Sequence, residues 1–418
     1  MQRIVILFEK TIMYRFSINW LRVVYFNLMI VAFIGVILRY KIAFSLPFIQ
    51  QKNLLHGHSH FAFAGWVTQA LLFLLLKQLK HEEEEKIFKK YRWLLIGNLI
   101  AAWGMLLSFP FQGYGVYSIS FSTLSIFISY IFAIFFWKDL NKQREKTIGG
   151  QVIKVALIFN ILSSLGAFSL AAMMIKKIII QKWSLLAIYF FLHFQYNGWF
   201  FFSCLGLLFL QLEKASINTK KLQFVFILFA SACIPAYFLS ALWLPIPFIL
   251  YALILLAAVA QAWAWIILIK LITAAKKTIL FFQTKYNYIL VLVAIAFSIK
   301  LMLQLGSIIP QLSQVAFGFR PIIIGYLHLV LLAITSLFIT GYFLKTMNPH
   351  FNKTAVTGIH IFVGGIILNE LLLLVQGVSD MAYILVPFIN EGLFIVALVL
   401  FSGIFIINYG LQKNSMNL

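Results

Sequence analysis

The chain has 418 residues, 63% of them hydrophobic and 11% charged. That much apolar surface excludes an ordinary soluble domain and points to a helical membrane protein. The net charge of +22 does not imply a nucleic-acid ligand, because the Lys and Arg residues fall between apolar runs, where cytoplasmic loops carry them.

Twelve runs are long enough to span a bilayer, near residues 18–40, 54–76, 93–109, 114–137, 152–175, 183–211, 222–243, 246–269, 288–308, 321–344, 355–376 and 384–408. In lipid every backbone polar group must be bonded within its own segment, so these runs are helices, and they are too long for barrel strands. The expected fold is an all-α integral membrane protein, a twelve-transmembrane-helix bundle, with residues 1–418 as a single polytopic membrane domain. The first run is long enough to span and no clear small-residue cleavage site follows it, so no cleavable signal is expected.

Orientation follows from the basic residues. Arg3, Lys10 and Arg15 precede the first run, and the second connection, KQLKHEEEEKIFKKYR, carries six. The fourth, sixth, eighth and tenth connections are Lys-rich. FPFQGYG and WLPIP carry no basic residue, and the ninth carries only Arg320; the fifth, with Lys176, Lys177 and Lys182, is discordant. The alternation puts both termini in the cytoplasm, as in a multi-pass protein of the bacterial cytoplasmic (inner) membrane. The acidic block at 82–85 reads as a solvated loop. Cys204 and Cys233 lie in apolar runs and imply neither a disulfide framework nor a thiolate metal site. No internal repeat is obvious. Glycines 104, 364 and 365 read as points of close helix approach.

Six of the eight histidines fall in or at the ends of runs: His56, His58 and His60 in the second, His193 in the sixth, His328 in the tenth and His360 in the eleventh. His81 and His350 lie in loops and suggest no role. With the N-terminus inside, even-numbered runs enter from the outer face. At about 1.5 Å per residue, the histidines of runs 2, 6 and 10 all lie in the outer half of the bilayer. Ionisable groups in a membrane usually mark a functional path or site, and neutral imidazole is a good ligand for haem iron, copper and non-haem iron. His58 and His60 are roughly 200° apart around a helix, whereas His56 and His60 share a face. His56 sits near the interface, where solvation is the simpler reading. His360 lies at the cytoplasmic end, and hydrogen bonding within the bundle is the simpler reading for it.

This pattern resembles the catalytic subunit of the haem–copper oxidase superfamily, which includes the bacterial nitric oxide reductases. The resemblance covers most of the chain as topology; its motifs are local. LLHGHSHFAFAGW resembles the helix that gives one axial ligand to a low-spin haem, with His58 or His60 as the candidate. GYLHLVLL implies His328 as the opposite ligand, with Tyr326 standing where a high-spin haem ligand would be. FLHFQYNGWFFF resembles the helix that supplies a histidine to a second metal, copper or non-haem iron. There His193 is followed four residues later by Asn197, where the reductases have glutamate. The seventh run, LQFVFILFASACIPAYFLSALW, has no histidine, so the family's dinuclear centre is not supported. Arg320 stands where it would pair haem propionates, or else snorkels at the interface.

The resemblance implies a haem-binding membrane redox protein with one low-spin, bis-histidine haem and an incomplete dinuclear centre. With a second metal, bound by His193 or His56, it implies an oxidoreductase acting on oxygen or nitric oxide. It further implies a separate cytochrome c or quinol electron donor and partner subunits. NnrS-like haem and copper proteins of nitric oxide metabolism are similar as well. A secondary transporter is the alternative from a different class. Glu370 on the eleventh run and Glu391 on the twelfth would then couple ions, unless they pair with Lys300 in the ninth.

Overall fold

In the computed structural model the described residues are 2–80, 82–178, 180–215, 217–276, 278 and 280–416; His81 lies outside them. The described residues form helices and loops, without a strand among them. Eleven helices are long and apolar enough to cross a membrane. Among the described residues they are α1 (Gln2–Phe44, with Ser17–Phe44 as the candidate span), α2 (Gln51–Leu76), α3 (Glu84–Gln112), α4 (Val116–Asn141), α5 (Ile148–Ile175), α7 (Thr219–Ala241), α8 (Phe248–Ala275), α9 (Asn287–Gly306), α10 (Arg320–Thr346), α11 (Lys353–Met381) and α12 (Ile389–Met416, with Ile389–Lys413 as the candidate span). The expected sixth run is also one continuous helix, α6 (181–212). It falls short of the other eleven in apolarity because polar residues, His193, Gln195 and Asn197 among them, sit mid-helix.

The helices gather into two compact units. The first comprises residues 1–144, 346–372 and 386–418; the second comprises 145–345 and 373–385. In the first, α1 lies along α12. Asn408 Nδ2 donates to the Tyr25 carbonyl at 3.0 Å and Arg22 Nη2 to that of Leu411 at 2.8 Å. The α11–α12 seam is made by glycines. A Cβ on Gly358 would stand 2.6 Å from the Ile407 nitrogen, and one on Gly403 the same distance from the Phe362 nitrogen. Of the glycines expected at close approaches, Gly104 meets the Phe121 ring and Gly365 meets Leu400, but Gly364 faces open space.

The acidic block is not simply solvated. Glu84 and Glu85 form the first turn of α3, where carboxylates favour the helix dipole. Glu84 accepts from Ser17 Oγ at 3.2 Å and from Lys77 Nζ at 3.0 Å, tying the start of α3 to α1 and to the end of α2.

In the second unit α5 and α6 meet backbone to backbone. A Cβ on Gly166 would stand 2.5 Å from the Ala187 carbonyl, and one on Gly149 2.8 Å from that of Gly206. Small residues permit such contact where lipid offers no hydrophobic force between helices. At the ends of α6 and α10, Gln211 Nε2 donates to Tyr342 Oη at 2.8 Å.

Candidate functional site

Three helices turn π-helical partway along, and they are the three whose histidines the sequence reading expects at a common depth. α2 is π-helical over Ala62–Thr68, α6 over Phe194–Phe200 and α10 over Leu329–Ser336. Each π segment begins one or two residues after a histidine: His60, His193 and His328. No other π-helix occurs among the described residues. Such turns are rare and often accompany functional sites.

A π turn weakens the regular ladder, and in a membrane the released carbonyls need other donors. Here side chains supply them. In α2, Asn27 Nδ2 donates to the Gly65 carbonyl at 2.6 Å and Asn98 Nδ2 to that of Ala64 at 2.9 Å. In α6, Cys233 Sγ approaches the Asn197 carbonyl at 3.7 Å. In α10, the Thr335 and Ser336 hydroxyls reach back to the Val330 and Leu331 carbonyls, each at 2.8 Å.

Aligned on their histidines, two stretches match at four of seven positions. HFAFAGW (60–66) and HFQYNGW (193–199) share His, Phe, Gly and Trp at the same offsets, with Phe63 matched by Tyr196. Trp66 and Trp199 are both buried. In this alignment the π segments begin one position apart, at Ala62 and at Phe194. α10 keeps the histidine and the π segment but not the Phe–Gly–Trp frame.

On α2 the three imidazoles divide as helical geometry requires. His60 stacks on Phe109 with centroids 4.4 Å apart and planes at 13°, and its Nε2 lies 3.3 Å from Tyr114 Oη. His56 meets the same two residues, its ring edge-on to Tyr114 at 4.8 Å. His56 is half-buried, and its Nε2 is enclosed and makes no hydrogen bond among the described residues. His58 points the other way, its Cε1 lying 3.6 Å from where a Cβ on Gly35 of α1 would be.

His193 does not fit a second metal. Its Nε2–H donates to the Cys233 carbonyl at 2.9 Å, and its Nδ1 accepts from Asn197 Nδ2 at 3.2 Å. Both nitrogens are spent within the protein. The reason lies in α7, which tightens to 3₁₀ geometry after Pro235. There the Tyr237 N–H, which an α-helix would give to Cys233, turns to Ile234, and His193 takes its place. Gln195 is fixed as well, donating to Asn160 Oδ1 at 2.9 Å and Ser163 Oγ at 2.8 Å. No group of three or more His, Cys, Asp or Glu able to hold a metal ion occurs among the described residues.

His328 is arranged differently. Its Nδ1–H donates to the Ile324 carbonyl at 2.8 Å, which makes Nε2 the basic nitrogen. Histidines that ligate a metal are commonly oriented by such a bond. Tyr326 stands against Tyr196, rings 6.4 Å apart at 71°. Arg320 is exposed at the start of α10. His58 and His60 belong to the first unit, and His193 and His328 to the second.

The remaining polar candidates separate. His360 is exposed, so it is no interior group. Glu370 accepts from its neighbour Asn369 at 3.2 Å, and Glu391 is half-buried in the first turn of α12. The expected pairing with Lys300 is not made: Lys300 has no ion pair among the described residues. His350, given no role from sequence, is buried in a short 3₁₀ turn. Burial, with Lys77 and then Arg22 nearby, pushes its imidazole down to about 4.

The chain matches no protein-family profile, and a search of curated proteins finds no match.

Proposed function

We propose that this chain is a haem-binding membrane redox protein, similar in plan to the catalytic subunit of the haem–copper oxidases but without their dinuclear metal centre. The observation that carries this reading is that a π segment directly follows a histidine on α2, α6 and α10, every fourth long helix. The proposal counts α6 as a twelfth span and places both termini in the cytoplasm, following the basic loops.

His328 is the axial ligand best supported, because its tautomer is set by the Ile324 carbonyl. The resemblance alone names the His56, His58 and His60 group as the source of a second axial ligand. A bound haem supplies one-electron transfer, and the bilayer spans insulate it. Electrons come from a separate cytochrome c or quinol. His193 and Asn197 act as a structural brace, so reduction of oxygen or nitric oxide at a second metal is not part of the proposal.

The test is a reduced-minus-oxidised optical spectrum of the purified chain, repeated on His328→Ala and on Ala variants of His56, His58 and His60 singly. A low-spin haem spectrum lost in His328→Ala and in one of the three α2 variants is expected. A colourless protein, or a haem indifferent to His328→Ala, refutes the reading. In a haem-free protein, uptake lost on Glu370→Gln or Glu391→Gln would favour the transporter.

A further inference from the structure

The second unit contains a cavity of about 520 Å³ walled by α6, α8, α9 and α10. That volume lies within the roughly 300–1,000 Å³ of small-molecule sites. Most of the lining is aliphatic or aromatic, and Lys300 is set into it, only 4% exposed. Its ammonium lies 5.2 Å from the Phe297 ring centroid and makes no hydrogen bond or ion pair among the described residues. Burying a cation without a counter-charge is costly, and a cation–π contact offsets only part of that cost.

The other polar groups in the wall are mostly committed. Ser298 Oγ accepts from Trp265 Nε1 and donates to the Ala294 carbonyl, both at 2.8 Å. Thr335 bonds Val330, and the Asn197 amide serves His193. The Tyr196 hydroxyl, like Lys300, makes no hydrogen bond among the described residues. Two donors, one of them charged, therefore line an apolar space and await an acceptor. Lys276, exposed, adds a second positive charge to the lining. Val291, Ile295, Ile299 and Met302 of α9 line the cavity too and are 44–70% exposed, on a helix apolar enough to face lipid. A ligand with access along that face is one that dissolves in the bilayer.

We propose that this cavity binds an amphipathic carboxylate taken from the membrane, its hydrocarbon body against the apolar wall and its carboxylate on Lys300. A full positive charge in an apolar wall selects an anion over a neutral carbonyl compound, since only an anion restores neutrality. The inference rests on the second unit alone and is independent of the haem reading.

The test measures binding of labelled oleate, and of the matching neutral alcohol, to the full chain in lipid nanodiscs. Saturable oleate binding is expected, at least tenfold tighter than that of the alcohol. Lys300→Met is expected to weaken oleate at least tenfold and leave the alcohol unchanged, and Lys300→Arg to retain most of the difference. Should Lys300→Met fail to fold, the comparison of acid with alcohol on the unaltered chain decides alone. Equal affinities for the two, no saturable oleate binding, or displacement of oleate by a neutral quinone at lower concentration than by unlabelled oleate would overturn the proposal.

Discussion

Replacing His193 by Phe keeps a planar aromatic ring, somewhat larger than imidazole, so no cavity opens. What is lost is two hydrogen bonds. The Cys233 carbonyl loses the donor that replaces the diverted Tyr237 N–H, and Asn197 Nδ2 loses its acceptor. A buried polar group left unpaired costs about 1–3 kcal/mol, whereas single interhelical bonds in membranes average about 0.6 kcal/mol. Two orphaned groups at a helix distortion should therefore cost about 2 kcal/mol. The assay is thermal unfolding in detergent, with haem per protein measured on the same samples. The expected result is a midpoint lowered by a few degrees with bound cofactor unchanged. Asn197→Leu should cost about half as much, and the double variant less than the sum, because the two residues share one bond. If His193→Phe instead strips a metal or haem while the midpoint stays put, the assignment of His193 as a brace is wrong.

Three further outcomes are expected. Gly358→Leu forces α11 and α12 apart, because the Cβ alone would lie 2.6–2.7 Å from backbone atoms of Ile407 and Gly403; unfolding in a denaturing detergent should shift by about 3 kcal/mol or more. Gly364→Ala on the same helix, with nothing within 4 Å, should shift it by less than about 0.5 kcal/mol or stabilise slightly. His350 has its folded value depressed to about 4 by burial first and by Lys77 and Arg22 next, so protonation favours the unfolded chain. Its contribution is whole above about pH 6.5 and is lost as pH falls toward 4. After allowance for solvent screening that loss is about 1 kcal/mol. His350→Gln should lose less stability between pH 7.5 and pH 4.5 than the unaltered chain; identical profiles would contradict it.

Hydropathy alone shows long apolar helices, because lipid leaves the backbone no other way to satisfy its polar groups. A common depth for His60, His193 and His328 is expected from counting residues along those helices, and the opposed faces of His58 and His60 follow from helical pitch. Those inferences need only local geometry. What each imidazole does with its nitrogens was not legible. His193 and His328 look alike in sequence, yet one is consumed by Cys233, forty residues away, and the other is pinned to a carbonyl one turn back. The difference arises because Pro235 and the 3₁₀ turn after it free a carbonyl on a neighbouring helix, and only packing brings that carbonyl to His193. His56 reads as interfacial from its position, but Phe109 and Tyr114 cover it. The π segments were equally hidden, since residues with ordinary helical preferences adopt them only where Asn27, Asn98 and Cys233 stand ready to take the released carbonyls. Lys300 reads as half of an ion pair from composition; the tertiary structure instead places it in an apolar cavity, because which groups meet a mid-membrane charge depends on how helices are arranged around it.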